Sequence, residues 1–113
     1  MQLRAVRVTI APGKTTDYWA WAREIVALWD EHGIVRAGGP YALKGPDGED
    51  VALWLSLHHP ADDVRAEFQK LYAAGRGAEL IAQRPPLVAD TVTTLHPDWD
   101  GAAGSEPPAP PAW

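Results

Sequence analysis

Residues 34–58, IVRAGGPYALKGPDGEDVALWLSLH, decide how this chain folds. Two extended arms, 34–44 and 51–58, flank Gly45-Pro46-Asp47-Gly48, residue types that reverse chain direction, so the stretch reads as a β-hairpin. Gly38-Gly39-Pro40 interrupts the first arm. Proline has no N–H to offer a neighbouring strand, so this arm belongs at a sheet edge and carries a bulge. The second arm belongs inside the sheet. Its positions Val51, Leu53, Leu55 and Leu57 are uniformly apolar, whereas Ala52, Trp54, Ser56 and His58 are mixed.

Working outward, residues 3–10 alternate, with Val6, Val8 and Ile10 on one face and Ala5, Arg7 and Thr9 on the other, the period of a strand. Ala11-Pro12-Gly13 ends it, and Thr15 or Thr16 is placed to cap a helix with Asp17 in its first turn. Between 16 and 32, Tyr18, Trp21, Ala22, Ile25, Leu28, Trp29 and His32 fall within an arc of roughly 120° on a helical wheel. Gly33 then supplies a left-handed cap. Beyond the hairpin, Pro60, Asp62 and Asp63 suit the start of a second helix, with Val64, Phe68, Leu71 and Tyr72 as its buried stripe and Gly75 and Gly77 closing it. A short helical segment over 78–84 stops at Pro85-Pro86, and 87–95, rich in Val and Thr, is a last strand. The order βαββαβ, with right-handed crossovers, predicts a ferredoxin-like α+β fold. Its four-stranded antiparallel sheet runs in order 4-1-3-2, with both helices on one face.

Composition narrows the function. A chain of 113 residues, 46% apolar and 22% charged, has the make-up of one globular domain. Net charge is −5 and no basic run occurs, which argues against nucleic acid or an anionic membrane as partner. Without cysteine there are no disulfides, thiolate metal sites or thiol nucleophiles. No secretion signal opens the sequence, and no apolar run reaches the roughly 20 residues that span a bilayer, so a cytoplasmic protein is expected. The domain is expected to occupy 1–96. Residues 97–113 hold five prolines and three acids with no base, and read as an extended tail whose Trp99 and Trp113 are available to dock.

In this scheme the face away from the helices carries Ala5, Arg7, Thr9, Trp54, Ser56 and His58, too apolar around Trp54 to be left wet. A second copy packing sheet to sheet would cover it. The opening strand followed by APGK, the Trp-rich helix ending near HGI, the GPDGED hairpin and PPLVADTVTTLHP together resemble the NIPSNAP branch of the dimeric α+β barrel proteins, over residues 2–97. The resemblance implies a homodimer whose two sheets form a barrel with the helices outside. Relatives include cofactor-free monooxygenases, haem-degrading enzymes, polyketide cyclases and lactone isomerases, so the fold does not choose the chemistry.

The most suggestive set is Trp54, Ser56 and His58 on one strand face, with Tyr41 and Arg36 across the hairpin. A neutral imidazole can take an acidic substrate proton while a phenol and a guanidinium stabilise the resulting anion, which makes His58, Tyr41 and Arg36 the catalytic candidates. Arg7, Trp21, Trp29, Trp54, Ser56 and Tyr72 are the ligand-binding candidates. The competing reading is structural: His58 ends a strand and bonds a neighbour, Ser56 fills space, Trp54 packs an interface and the helix tryptophans are core. Ser56 has no Gly-x-Ser-x-Gly elbow and no evident buried acid, which weighs against an acyl nucleophile. His58 and His59, adjacent in extended chain, point to opposite faces and make a poor metal pair, with His59 expected to cap the second helix; no metal and no cofactor motif is found. The chain also lacks asparagine, which the haem-degrading and quinone-forming relatives use with Trp and His or Arg. Three functions stay open. They are a homodimer that binds a small aromatic or lipid-like molecule and acts on it by cofactor-free acid/base chemistry, a non-catalytic protein-interaction module, and a cofactor-free monooxygenase with an atypical site.

Overall fold

A computed structural model describes residues 1–97. Five strands and three helices follow in the order β1 (Gln2–Ile10), α1 (Thr15–Glu31), β2 (Val35–Arg36), β3 (Tyr41–Lys44), β4 (Asp50–His58), α2 (Val64–Leu71), α3 (Gly75–Ala82) and β5 (Val88–His96), with a 3-10 turn at Pro85–Leu87. The sheet is antiparallel in the order β2-β4-β1-β5, and β3 pairs with β4 on the edge that β2 also occupies. The expected 4-1-3-2 order therefore holds, except that its second strand is two pieces. The break is Gly38-Gly39-Pro40: both glycines have positive φ and Pro40 has no N–H to donate, so the ladder is interrupted at this segment. The expected tail lies outside the described residues except for Pro97.

Register corrects the sequence reading of the two faces. In the β1–β4 ladder Val6 stands opposite Trp54, Arg4 opposite Ser56 and Gln2 opposite His58. Directly opposed residues share a face, so Trp54, Ser56 and His58 lie with Val6 and Val8 under the helices, not with Ala5, Arg7 and Thr9. Each strand's alternation was legible alone, but nothing in it fixes the phase of one strand against the next. The uniformly apolar row is the outward one: Leu3, Ala5 and Leu55 form a small cluster buried against Ala37, Leu53 and Leu57. On the same face Val35, Tyr41 and Leu43 are exposed.

Two helix starts also differ from expectation. Lys14 rather than a threonine precedes α1 with no side-chain cap, because the Thr15 hydroxyl instead bonds the Asp50 carboxylate at 2.5 Å and ties the helix start to β4. The second helix begins at Val64, not near Pro60, because Asp63 accepts the N–H of Ala66 and His59 is spent in the preceding turn, accepting from the Ala61 N–H. Gly75, expected to end that helix, opens α3 instead. Gly33 does take the left-handed conformation after α1, with φ 71°.

The main core sits between the helices and the sheet's inner face. Tyr18, Trp21, Ile25, Leu28 and Trp29 of α1 meet Val6, Val8, Ala52 and Trp54 of the sheet, and Phe68, Leu71 and Leu80 close the side. Burying each large apolar group contributes roughly 1.5–3 kcal/mol. The indoles do not leave polar atoms stranded: Trp21 Nε1 donates to the Leu80 carbonyl at 2.8 Å, Trp54 Nε1 to the Tyr18 hydroxyl at 2.8 Å and Trp29 Nε1 to the Tyr72 hydroxyl at 3.0 Å.

Candidate ligand cavity

Helices α1 and α2 and strand β5 do not close completely over the inner face. Between them is a cavity of about 610 Å³, within the roughly 300–1,000 Å³ typical of small-molecule sites. Six aromatic side chains, Tyr18, Trp21, Trp29, Trp54, Phe68 and Tyr72, contribute to its wall, with Val6, Val8 and Ile25 below and Thr91, Thr93 and Leu95 of β5 along one side. Trp29 tilts against Trp54 with centroids 5.2 Å apart and meets Phe68 at 5.4 Å, while Tyr72 stacks on Phe68 at 6.2 Å. These rings fix one another, so the wall is built before any ligand arrives.

Three arginines, Arg4, Arg65 and Arg84, complete the lining, and no Asp or Glu does. Arg4 places its guanidinium 3.9 Å from the Phe68 ring centroid, a cation–π contact. Burial lowers the Arg4 pKa, the Tyr72 hydroxyl counters this, and the positive charge of Arg84 pushes it down further. Arg84 donates to the Thr91 hydroxyl at 2.5 Å. Burial raises the Tyr18 hydroxyl to about 12, against the opposing hydrogen bond from Trp54. Tyr72 is raised for the same reason, with Trp29, Arg4 and Arg84 pulling the other way.

His58 stands outside this lining. It is 4% exposed, packs edge-on against Phe68 and lies within a separate polar chain: Nε2 is 2.8 Å from Ser56 Oγ and Nδ1 is 3.2 Å from Glu67 Oε2. The order carboxylate, imidazole, hydroxyl is that of a nucleophilic triad, and Glu67 is the acid that sequence reading did not find. Its signal was weak, a single Glu on the first turn of α2. Ser56 is fully buried and does not line the cavity, so a substrate has no approach to its hydroxyl. His58, Asp62 and Glu67 also bring potential metal-ligand atoms within 4.8 Å of one another. These groups are already engaged: Glu67 by His58, and Asp62 by the His59 N–H at 3.0 Å.

Of the expected ligand-binding residues, Trp21, Trp29, Trp54 and Tyr72 converge on the cavity, Ser56 sits behind it and Arg7 lies on the opposite face of the sheet. The expected catalytic trio does not meet. Tyr41 stands opposite Leu53 on the outward face and is 46% exposed. Arg36 shares the inner face with Ser56, yet bonds the Gly39 carbonyl at 2.7 Å and pairs with Asp30 at 3.6 Å. Arg4, Tyr18, Phe68 and Arg84 belong to the site and were not among the candidates; the phase of β1 against β4 would have placed Arg4.

The fold and its inner cavity define a ferredoxin-like α+β domain. Solved structures of NIPSNAP proteins share that fold. An uncharacterized NIPSNAP-like domain protein from Burkholderia xenovorans superposes with a TM-score of 0.65 at 20% identity, over 99% of this chain and 93% of its own. A second NIPSNAP domain protein from the same organism gives 0.66 at 13% identity, over 95% and 100%. A NIPSNAP family protein of unknown function from Agrobacterium tumefaciens gives 0.65 at 18%, over 85% and 86%. At such identities the likeness is one of fold. No known family's sequence profile matches the chain, and no curated protein does. Among the described residues, no helix is long and apolar enough to cross a membrane.

Proposed function

We propose that the chain works as a homodimer whose subunits each bind a small aromatic or lipid-like molecule in the cavity between helices and sheet. The observation that carries this reading is the 610 Å³ space itself, walled by mutually braced rings rather than filled by side chains. A protein-interaction module has no need of such a space. Binding is the chemistry assigned here. Proton abstraction by His58 finds no support, because its imidazole points into the Ser56–Glu67 chain and not into the cavity. Pairing is supported by the outward face, where exposed Val35, Tyr41 and Leu43 flank Leu53 and Leu57, an apolar stripe that a second sheet would cover.

The test is native mass spectrometry of the full chain with naphthoate as probe. Thr93 is exposed on the cavity side of β5, so Thr93→Trp fills the space without disturbing the core. The expected spectrum shows paired chains carrying one probe per subunit, and paired chains without probe in the variant. Single chains throughout would remove the dimer from the reading; equal probe retention in both proteins would remove the cavity.

A further inference from the structure

The charged groups of the cavity are all of one sign. The whole chain is acidic, with 15 Asp and Glu against 10 Lys and Arg, yet the cavity wall takes three arginines and no carboxylate. Among the described residues no carboxylate pairs with Arg4 or Arg84, although ion pairs are made at Arg36, Lys44 and Arg76 elsewhere. Two guanidiniums whose charges repel are thus held at one partly desolvated place, an arrangement that costs free energy until an anion arrives. The hydroxyls of Tyr18 and Tyr72 add to it. Each uses its oxygen to accept an indole N–H, from Trp54 and Trp29, so the O–H proton of each is left to donate.

Resting on the cavity reading above, we infer that the bound molecule is an aromatic or fatty carboxylate, its apolar body among the rings and its carboxylate against Arg4, Arg84 and the Tyr72 hydroxyl. A guanidinium fork meets a carboxylate with two parallel bonds, and such charge-assisted bonds are roughly twice as strong as neutral ones. Arg4, held over the Phe68 ring, is fixed in place for this contact; Arg84, bonded to Thr91, approaches from the β5 side.

The experiment is calorimetric titration of the full chain with naphthoate and with its neutral isostere naphthamide, repeated on Arg84→Gln and Arg84→Lys. Naphthoate should bind about tenfold or more tighter than naphthamide, in line with a charged hydrogen-bonded contact. Arg84→Gln should erase most of that difference and be partly rescued by Arg84→Lys. Equal binding of the two probes overturns the carboxylate assignment while the cavity reading stands. Binding of neither overturns both. A preference for naphthoate that survives Arg84→Gln overturns the role given to Arg84.

Discussion

Tyr18 shows how one side chain serves both packing and site. It is fully buried, its hydroxyl accepts the Trp54 indole proton, and its ring stands edge-on to Trp19 at 5.5 Å. Burial favours the neutral phenol, lifting its pKa from 10.0 to about 12. Between those values the unfolded chain has released this proton and the folded chain has not, so stability must fall with rising pH. The contribution is whole below pH 10.0, is lost as pH climbs to about 12, and amounts to ~3 kcal/mol. Tyr72 acts in the same direction. Tyr18→Phe should lower stability near neutrality by ~1–3 kcal/mol, because Trp54 loses its acceptor. The gap to the parent protein should then narrow between pH 10.0 and about 12 in denaturant titrations; a gap that widens would contradict the assignment. Tyr18 was legible as a helix-face residue but not as the acceptor of an indole N–H, since periodicity reports burial and is blind to what a polar tip meets.

At the scale of elements, α2 matters because it carries Phe68 on one turn and leads to Tyr72 at its C-terminal end. Asp63 begins it by accepting the Ala66 N–H at 3.1 Å. Asp63→Ala should cost ~1 kcal/mol in denaturant unfolding, with Asp63→Asn recovering most of it; an unchanged midpoint would show that this bond does not hold the helix start. The sequence put Pro60 in the first turn with Asp62 and Asp63 at its dipole, and only the loop geometry chose the later start after Asp63. Gln2 makes that choice: its amide donates to the carbonyls of His59 and Asp62, both at 3.0 Å, fixing the loop from a strand far away in sequence. The same limit explains the faces of the sheet. The hairpin, the central position of β4 and the edge position of the Pro40 arm were all readable from local residue types. The side of the sheet on which Trp54, Ser56 and His58 lie was not, because that depends on which residue of β1 meets which residue of β4.

For the whole molecule, one layer of helices over one sheet leaves two unequal faces. The outer is an apolar stripe around Leu53 and Leu57; the inner is a core with a space kept open in it. The tryptophans were legible as core or as cavity wall, and Trp29 and Trp54 stand in the core cluster and in the cavity lining alike. What composition could not show is that the arginines gather where the acids do not. The most direct test of the cavity is an NMR measurement of intermolecular nuclear Overhauser effects between naphthoate and the full chain. Cross-peaks from the naphthalene ring to Phe68, Trp54 and Tyr72 are predicted. Cross-peaks only to Val35, Tyr41 or Leu43 on the outer face would contradict the account.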